Sequence, residues 1–379
     1  MPGAFELRET GSPKGLGVFA TQPFASKEII FEEKPLVSAQ FCWNEAYGYY
    51  ACHHCMRPME TVVENFRRLS NNGSAVLPYP ELCRTDKSKH TACESCRVGY
   101  CSERCKQIAE QQYHHMLCQA KLPGLVRLVE CWKQIHFPPE TVSIMLIARI
   151  IAMIEGSEDK QSVLQTLMSF SHETVSDSGV GLVVDEEKLQ LVRQMVAETL
   201  PINHAKYLVS EEGFNKLFAL IGRNGQGVGT SVFSMWVSDV GKKDMSDEER
   251  EAVDHFIDVA YAQMDEHVGT FLNCEGSALF KLQRCLNHSC TPNALVTFPH
   301  SDHTAVVQAL RPIETGEEIC ISYIDECTLQ RSRHSRNKQL QRYYLFECCC
   351  NKCMEQIGLP DETSEEESEE EEEDEEMDS

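Results

Sequence analysis

The stretches Asn287-His288-Ser289-Cys290-Thr291-Pro292-Asn293, Gly316-Glu317-Glu318-Ile319-Cys320-Ile321-Ser322-Tyr323 and Cys348-Cys349-Cys350-Asn351-Lys352-Cys353 decide the reading of this chain. The first reads as a turn with a capping Asn. The second carries a strand pattern from Glu318 that Tyr323 closes. The third presents Cys348, Cys350 and Cys353 as three thiolates at Cys-x-Cys-x-x-Cys spacing. Thiolates in such clusters bind metal, and no Cys-His-Asn arrangement argues for a nucleophile instead.

Working outward, no apolar leader follows Met1. The longest apolar run, Ser143 to Ile154, contains Arg149 and is short of the roughly 20 residues that span a bilayer. A soluble protein of the cytoplasm or nucleus is expected, where 19 cysteines favour zinc over disulfides. The formal charge is -24, but residues 361–378 supply 14 acids and no base, so the body is only mildly acidic. That Glu-, Asp- and Ser-rich tail cannot bury enough apolar area to offset the entropy of folding. Ser364 and Ser368 stand in it as candidate kinase sites.

Cys52-x2-Cys55, Cys93-x2-Cys96, Cys101-x3-Cys105 and His114-x3-Cys118 form four ligand pairs, the number that two tetrahedral structural zinc sites require. The 37 residues between Cys55 and Cys93 bring Cys83 and His90 as competing ligands. Residues 5–40 suit short strands joined by tight Gly turns, and 122–210 turn helical, with Pro138-Pro139-Glu140 opening a helix from Thr141 to Glu155. Residues 213–222, 247–268 and 329–344 also read as helices, and Ala294–Phe298 and His303–Leu310 as strands. The basic run Arg331, Arg333, His334, Arg336, Lys338 and Arg342 reads as a solvated helix face. A nucleic-acid surface is the lesser alternative, because aromatic interleaving is thin.

Taken together, the Asn-His-Ser-Cys turn, the strand ending in Tyr323 and the trailing cysteines resemble the catalytic core of the SET-domain lysine methyltransferases. The four earlier pairs resemble a MYND finger, and the order of segments is that of the SET and MYND family. The resemblance implies an α+β architecture: a SET-domain β-fold over 1–50 and 213–326, interrupted by a zinc-binding MYND finger with a long insert at 51–118 and a helical insert at 119–212. A post-SET helix and zinc cluster at 327–357 and a disordered acidic tail at 358–379 follow. Most members continue into a helical repeat domain, and no such pattern follows Cys353 here.

What the resemblance implies for the site is specific. Lys14, Leu16 and Gly17, Asn224, Asn287, His288, Tyr323 and Phe346 would hold S-adenosylmethionine, with Phe346 stacking on adenine and Asn293 bracing the turn. Tyr323 would stand where the lysine channel meets the sulfonium methyl, and Tyr344 would line the same channel as a second catalytic residue. Three zinc ions are implied. Pairs one and three (Cys52, Cys55, Cys101, Cys105) would share one, pairs two and four (Cys93, Cys96, His114, Cys118) the second, and Cys290 would join Cys348, Cys350 and Cys353 for the third, leaving Cys349 a bystander. The implied reaction is methyl transfer to a lysine of a histone or a non-histone, for example ribosomal, protein. A proline-rich peptide could dock on the finger. The rival expectation is a non-catalytic adaptor or chromatin co-repressor that keeps the SET fold as scaffold.

Overall fold

A computed structural model of the protein describes residues 3–11, 14–135, 142–171, 186–269 and 271–359. Pro138-Pro139-Glu140, Thr141, Ser364, Ser368 and the acidic stretch 361–378 lie outside them.

Among the described residues three sheets of three or four strands carry most of the β structure. β1 (Phe5–Glu9), β2 (Leu16–Ala20), β12 (Glu318–Ile321) and β9 (Asn287–His288) form one, in the order β1-β2-β12-β9; β10 (Ala294–Thr297), β11 (Ala305–Ala309) and β3 (Ile29–Glu33) form the second. In the third, β8 (Cys274–Leu279) lies between β4 (Val37–Gln40) and β7 (Gln226–Thr230). The first two close on one core that includes Val18, Ile30, Leu286, Val307 and Ile319. Each such side chain contributes about 1.5–3 kcal/mol on burial, so a charge at fully buried Val18 would break the sheet that bears the turn.

A short hairpin, β5 (Thr91–Ala92) with β6 (Gly99–Tyr100), α2 (Glu103–Ala109), a π-helical turn at Glu110–His114 and α3 (His115–Leu117) make the finger. The insert inside it folds as α1 (Val62–Leu69), opened by a Thr61/Glu64 capping box. α1 packs on α9 (Val232–Gly241) and α10 (Asp247–Val268) rather than on the zinc ligands. The helical layer comprises α4 (Gly124–Ile135), α5 (Ile144–Gly156), α6 (Lys160–Met168), α7 (Glu186–Thr199) and α8 (Glu211–Asn224). α5 is apolar around most of its circumference and is buried against β4 and the π-helical turn, as a helix without a polar face must be.

Several expectations are corrected here. The helix expected over 329–344 is two helices, α11 (Glu326–Gln330) and α12 (Arg333–Tyr344), because Asp325 and Ser332 each cap a fresh start. Strand β12 ends at Ile321, so Tyr323 lies in the bend beyond it. The strands β7 and β8 and the helix α9 had no local signal. β7 reads Gln-Gly-Val-Gly-Thr, a composition poor in strand formers, and it forms only because five of its residues pair with β8.

Candidate functional site

The site is built where β12 is paired on both edges. Parallel pairing with β9 sets Asn287 against Cys320 and His288 against Ile321, and antiparallel pairing with β2 sets Glu318 against Phe19. Asn293 locks the crossing: its Nδ2 donates to the Glu318 carbonyl at 2.8 Å and to Glu317 Oε1 at 2.9 Å, while its Oδ1 accepts from the Cys320 N–H at 2.8 Å.

Around this crossing the side chains separate into a charged group and an aromatic group. At the charged end Asn287 Nδ2 donates to Glu318 Oε1 at 2.8 Å and to the Leu16 carbonyl at 3.0 Å, and Lys14 Nζ reaches Glu318 Oε2 at 3.3 Å. A Cβ on Gly17 would meet Glu318 Oε1 at 2.9 Å, so glycine is what lets the hairpin approach this carboxylate. Burial opposes the charge on Lys14, yet Glu318 lifts its pKa above the usual value. The sequence reading did not single out Glu318. The signal available was its place beside Glu317 ahead of the Tyr323 strand.

At the aromatic end, Tyr323 is the centre. Its ring lies 4.8 Å from Tyr344, 5.5 Å from His288 and 6.2 Å from Phe346, and Phe346 is 6.1 Å from His288. The Tyr323 hydroxyl donates to the Leu286 carbonyl at 2.7 Å, and the Tyr344 hydroxyl reaches the Tyr323 carbonyl at 3.3 Å. Burial raises the pKa of both phenols, so each stays neutral. Phe346 reaches this cluster because Leu345 caps α12 in a left-handed conformation at φ 59 and reverses the chain, a conformation unusual for a side chain with a Cβ.

Both ring nitrogens of His288 are occupied internally. Nδ1 accepts from the Tyr323 N–H at 3.0 Å, which leaves Nε2 to carry hydrogen toward Cys290 Sγ at 3.4 Å. Burial pushes its pKa down to about 4. Any ligand would therefore meet the backbone of His288 or its ring face. Asn224, at the end of α8, spends its Nδ2 on the carbonyls of Leu220 and Ser171, both at 2.8 Å.

Three groups of ligand atoms converge, each within 4.8 Å: Cys52, Cys55, Cys101 and Cys105; Cys93, Cys96, His114 and Cys118; Cys290, Cys348, Cys350 and Cys353. Sulfur separations of 3.5 Å (Cys290 to Cys353), 3.8 Å (Cys290 to Cys348) and 3.9 Å (Cys93 to Cys118) bracket the roughly 3.8 Å expected between thiolates on one tetrahedral zinc. They are far beyond a disulfide bond of about 2.05 Å. The donor sets thus fit zinc, with the cross-braced pairing of the finger. Cys83 and His90 are not competitors: Cys83 Sγ accepts from the Val62 N–H at 3.3 Å beside the α1 core, and neither residue joins a cluster. Cys349 is exposed and outside the third set.

Within the basic run His334 and Lys338 are exposed one turn apart on α12, as a solvated face requires, but Arg336 is fully buried; Arg333 pairs with Glu347 and Arg342 lies over the Tyr343 ring. Among the described residues no helix is long and apolar enough to cross a membrane.

A family described as SET domain matches residues 15–324. Protein-lysine N-trimethyltransferase SMYD5 of Homo sapiens is 46% identical over 371 residues, covering 95% of this chain and 89% of the human protein; that of Danio rerio is 43% identical over 371 residues, with 95% and 89% covered. Histone-lysine N-methyltransferase SMYD3 of Homo sapiens is 26% identical over 325 residues, covering 79% of this chain and 63% of that protein.

Proposed function

Because this chain belongs to the SET-domain family, in its SET and MYND branch, we propose that it is a protein-lysine N-methyltransferase using S-adenosylmethionine. The observation that carries this reading is the convergence of Tyr323, Tyr344, Phe346 and His288 beside a two-signed polar group of Lys14, Glu318 and Asn287. A zwitterionic amino-acid moiety needs both signs, and an adenine or a methylated ammonium needs ring faces. Lys14, Leu16, Gly17, Asn287, His288 and Phe346 would hold the cofactor, with Asn224 at the margin. S-adenosylmethionine supplies an electrophilic sulfonium methyl for in-line displacement.

The protein's own residues then have three tasks. The half-buried rings exclude water, which lowers the pKa of an entering lysine and leaves its amine free to attack. The Tyr323 hydroxyl, fixed by the Leu286 carbonyl, presents its oxygen to orient that amine without a permanent charge. Tyr344 extends the wall against which a methylated, cationic product is stabilised. The third cysteine set would hold zinc and fasten the Phe346-bearing segment to the Asn287–Cys290 turn.

The names of the relatives support up to three methyls on the target lysine. We read the target as a basic protein, a histone or a ribosomal protein, on the strength of the formal charge of -24, and the compartment as cytoplasm, nucleus or both. The finger is read as a docking surface for a proline-rich partner peptide. A cavity of about 570 Å³ between it and β4, lined in part by His54, Pro58, Tyr113 and His303, supports that reading. The test is incubation of the protein and Tyr323→Phe with methyl-labelled S-adenosylmethionine and separate nuclear and ribosomal fractions. Label on lysine that falls about 100-fold in the variant, as loss of orientation predicts, supports the reaction; no cofactor binding at all would count for the adaptor.

A further inference from the structure

Arg336 lies on α12 with 0% of its surface exposed, and a guanidinium keeps its charge at any pH the protein meets. An uncompensated buried cation costs several kcal/mol, yet among the described residues no carboxylate pairs with it. Its acceptors are of another kind. Nε donates to Cys290 Sγ at 3.3 Å, and Nη2 donates to Cys353 Sγ at 3.4 Å and Gln356 Oε1 at 2.7 Å; Nη1 donates to the Arg331 carbonyl at 2.6 Å. The two sulfurs come from opposite ends of the ligand set, one from the turn after β9, the other from α13 (Asn351–Glu355).

Four thiolates around one divalent ion leave a dianionic centre. We propose that Arg336 is the counter-cation of the Cys290, Cys348, Cys350 and Cys353 centre. It hydrogen-bonds two of the four thiolates, sets how firmly the centre keeps its zinc, and so fixes the Phe346-bearing segment to the turn that carries Asn287 and His288. Arg336 makes no hydrogen bond to the residues assigned above to substrate and cofactor; it is a positioning residue. Its planar fork reaches both sulfurs at once, which the point charge of a lysine does not reproduce. The Nε2 of His288, 3.4 Å from Cys290 Sγ, adds a further donor from outside the ligand set. The inference rests on the third set being a zinc centre.

The test uses the full chain with zinc bound, wild type beside Arg336→Met and Arg336→Lys. Zinc content and release to the chelator 4-(2-pyridylazo)resorcinol are measured, followed by the sulfur-to-metal charge-transfer band after cobalt replacement. In Arg336→Met one zinc of three is held about 10- to 100-fold more weakly, as loss of an outer hydrogen bond to a ligand predicts. The other two are released as in wild type, and the cobalt band moves to lower energy as the thiolates lose their donors. Arg336→Lys falls between the two, keeping charge but not the fork. A merely structural arginine would lower thermal stability and leave the cobalt band in place. Where Arg336→Met does not accumulate as folded protein, Arg336→Lys decides: an unshifted band and wild-type release overturn the proposal. Three zincs in wild type with unchanged release from Arg336→Met overturn it while leaving the zinc reading intact; two zincs in wild type overturn both.

Discussion

Each cysteine-rich region of this protein keeps a buried arginine, and the two are used differently. Beside the finger, Arg149 on α5 is 1% exposed; its Nη2 donates to the His53 carbonyl at 2.6 Å, its Nη1 to the Ser38 carbonyl, and its guanidinium lies 4.2 Å over the Tyr113 ring. None of these partners is a sulfur. Beside the third set, Arg336 bonds two sulfurs directly. The contrast follows from where the ligands come from. The finger draws its eight ligands from one stretch of chain, residues 52–118, so its arginine only joins that stretch to β4 and the helical layer. The third set borrows Cys290 from a turn 58 residues before Cys348, so bridging the two segments is the task that zinc and Arg336 share.

The change with the largest expected effect breaks the third set. Cys353→Ser should leave two zincs by metal analysis and lower methyl transfer at least about 100-fold, because Tyr344 and Phe346 lose their anchor. Cys105→Ser in the finger should also cost one zinc but spare most of the transfer. Equal losses of activity would erase the distinction between the regions.

A smaller effect is expected at Arg149. Arg149→Met removes a charged donor from the Ser38 carbonyl and from the His53 carbonyl, which keeps only the Tyr113 hydroxyl; at about 1–3 kcal/mol for each lost bond, the denaturation midpoint should fall while kcat stays near wild type. A drop in kcat larger than the stability loss explains would show that the finger reaches the reaction centre.

The smallest is a pH effect where the finger meets the sheets. The His303 backbone N–H donates to the Cys55 carbonyl at 2.8 Å, and its ring Nδ1 pairs with the Ser38 hydroxyl at 2.8 Å. Burial, opposed by Asp302 and aided by Arg149, pushes its pKa down to about 4. The unfolded chain takes up a proton near the ordinary value of about 6.5, where the folded chain does not. Stability is therefore intact above that pH and declines as pH falls toward 4. His303→Gln should show a shallower fall in Tm between pH 7.5 and 6 than wild type; parallel curves would remove His303 from the account.

The paired zinc ligands were readable because their signals are local spacings, whereas Cys290 and the Tyr323 neighbourhood were legible only through resemblance to a known family. Cys-x2-Cys and Cys-x-Cys-x-x-Cys keep donors within reach of one ion whatever the surrounding fold, and the helix Asp247–Val268 announces itself through Ser246 and Glu249, its capping box. β7 and β8 were unreadable because Gln226–Thr230 and Cys274–Leu279 owe their strand form to each other across nearly 50 residues of sequence, not to their composition. Glu318 was hidden for a related reason: only the pairing of β12 with β2 brings it against Gly17 and Lys14.

The sequence by itself determined the chemistry available, namely which side chains can bind zinc, which offer a phenol or a ring face, and in what order the segments run. Residue type and short spacing suffice for that, because a thiolate or a phenol has the same valence wherever it lies. Tertiary structure alone decided which cation faces inward. In a run of six basic residues on and before α12, nothing local distinguishes Arg336 from Arg333; one is buried among sulfurs and the other pairs with Glu347 at the surface. A buried charge is tolerated only where its counter-charge arrives, and here that charge comes from a turn 46 residues earlier in the chain.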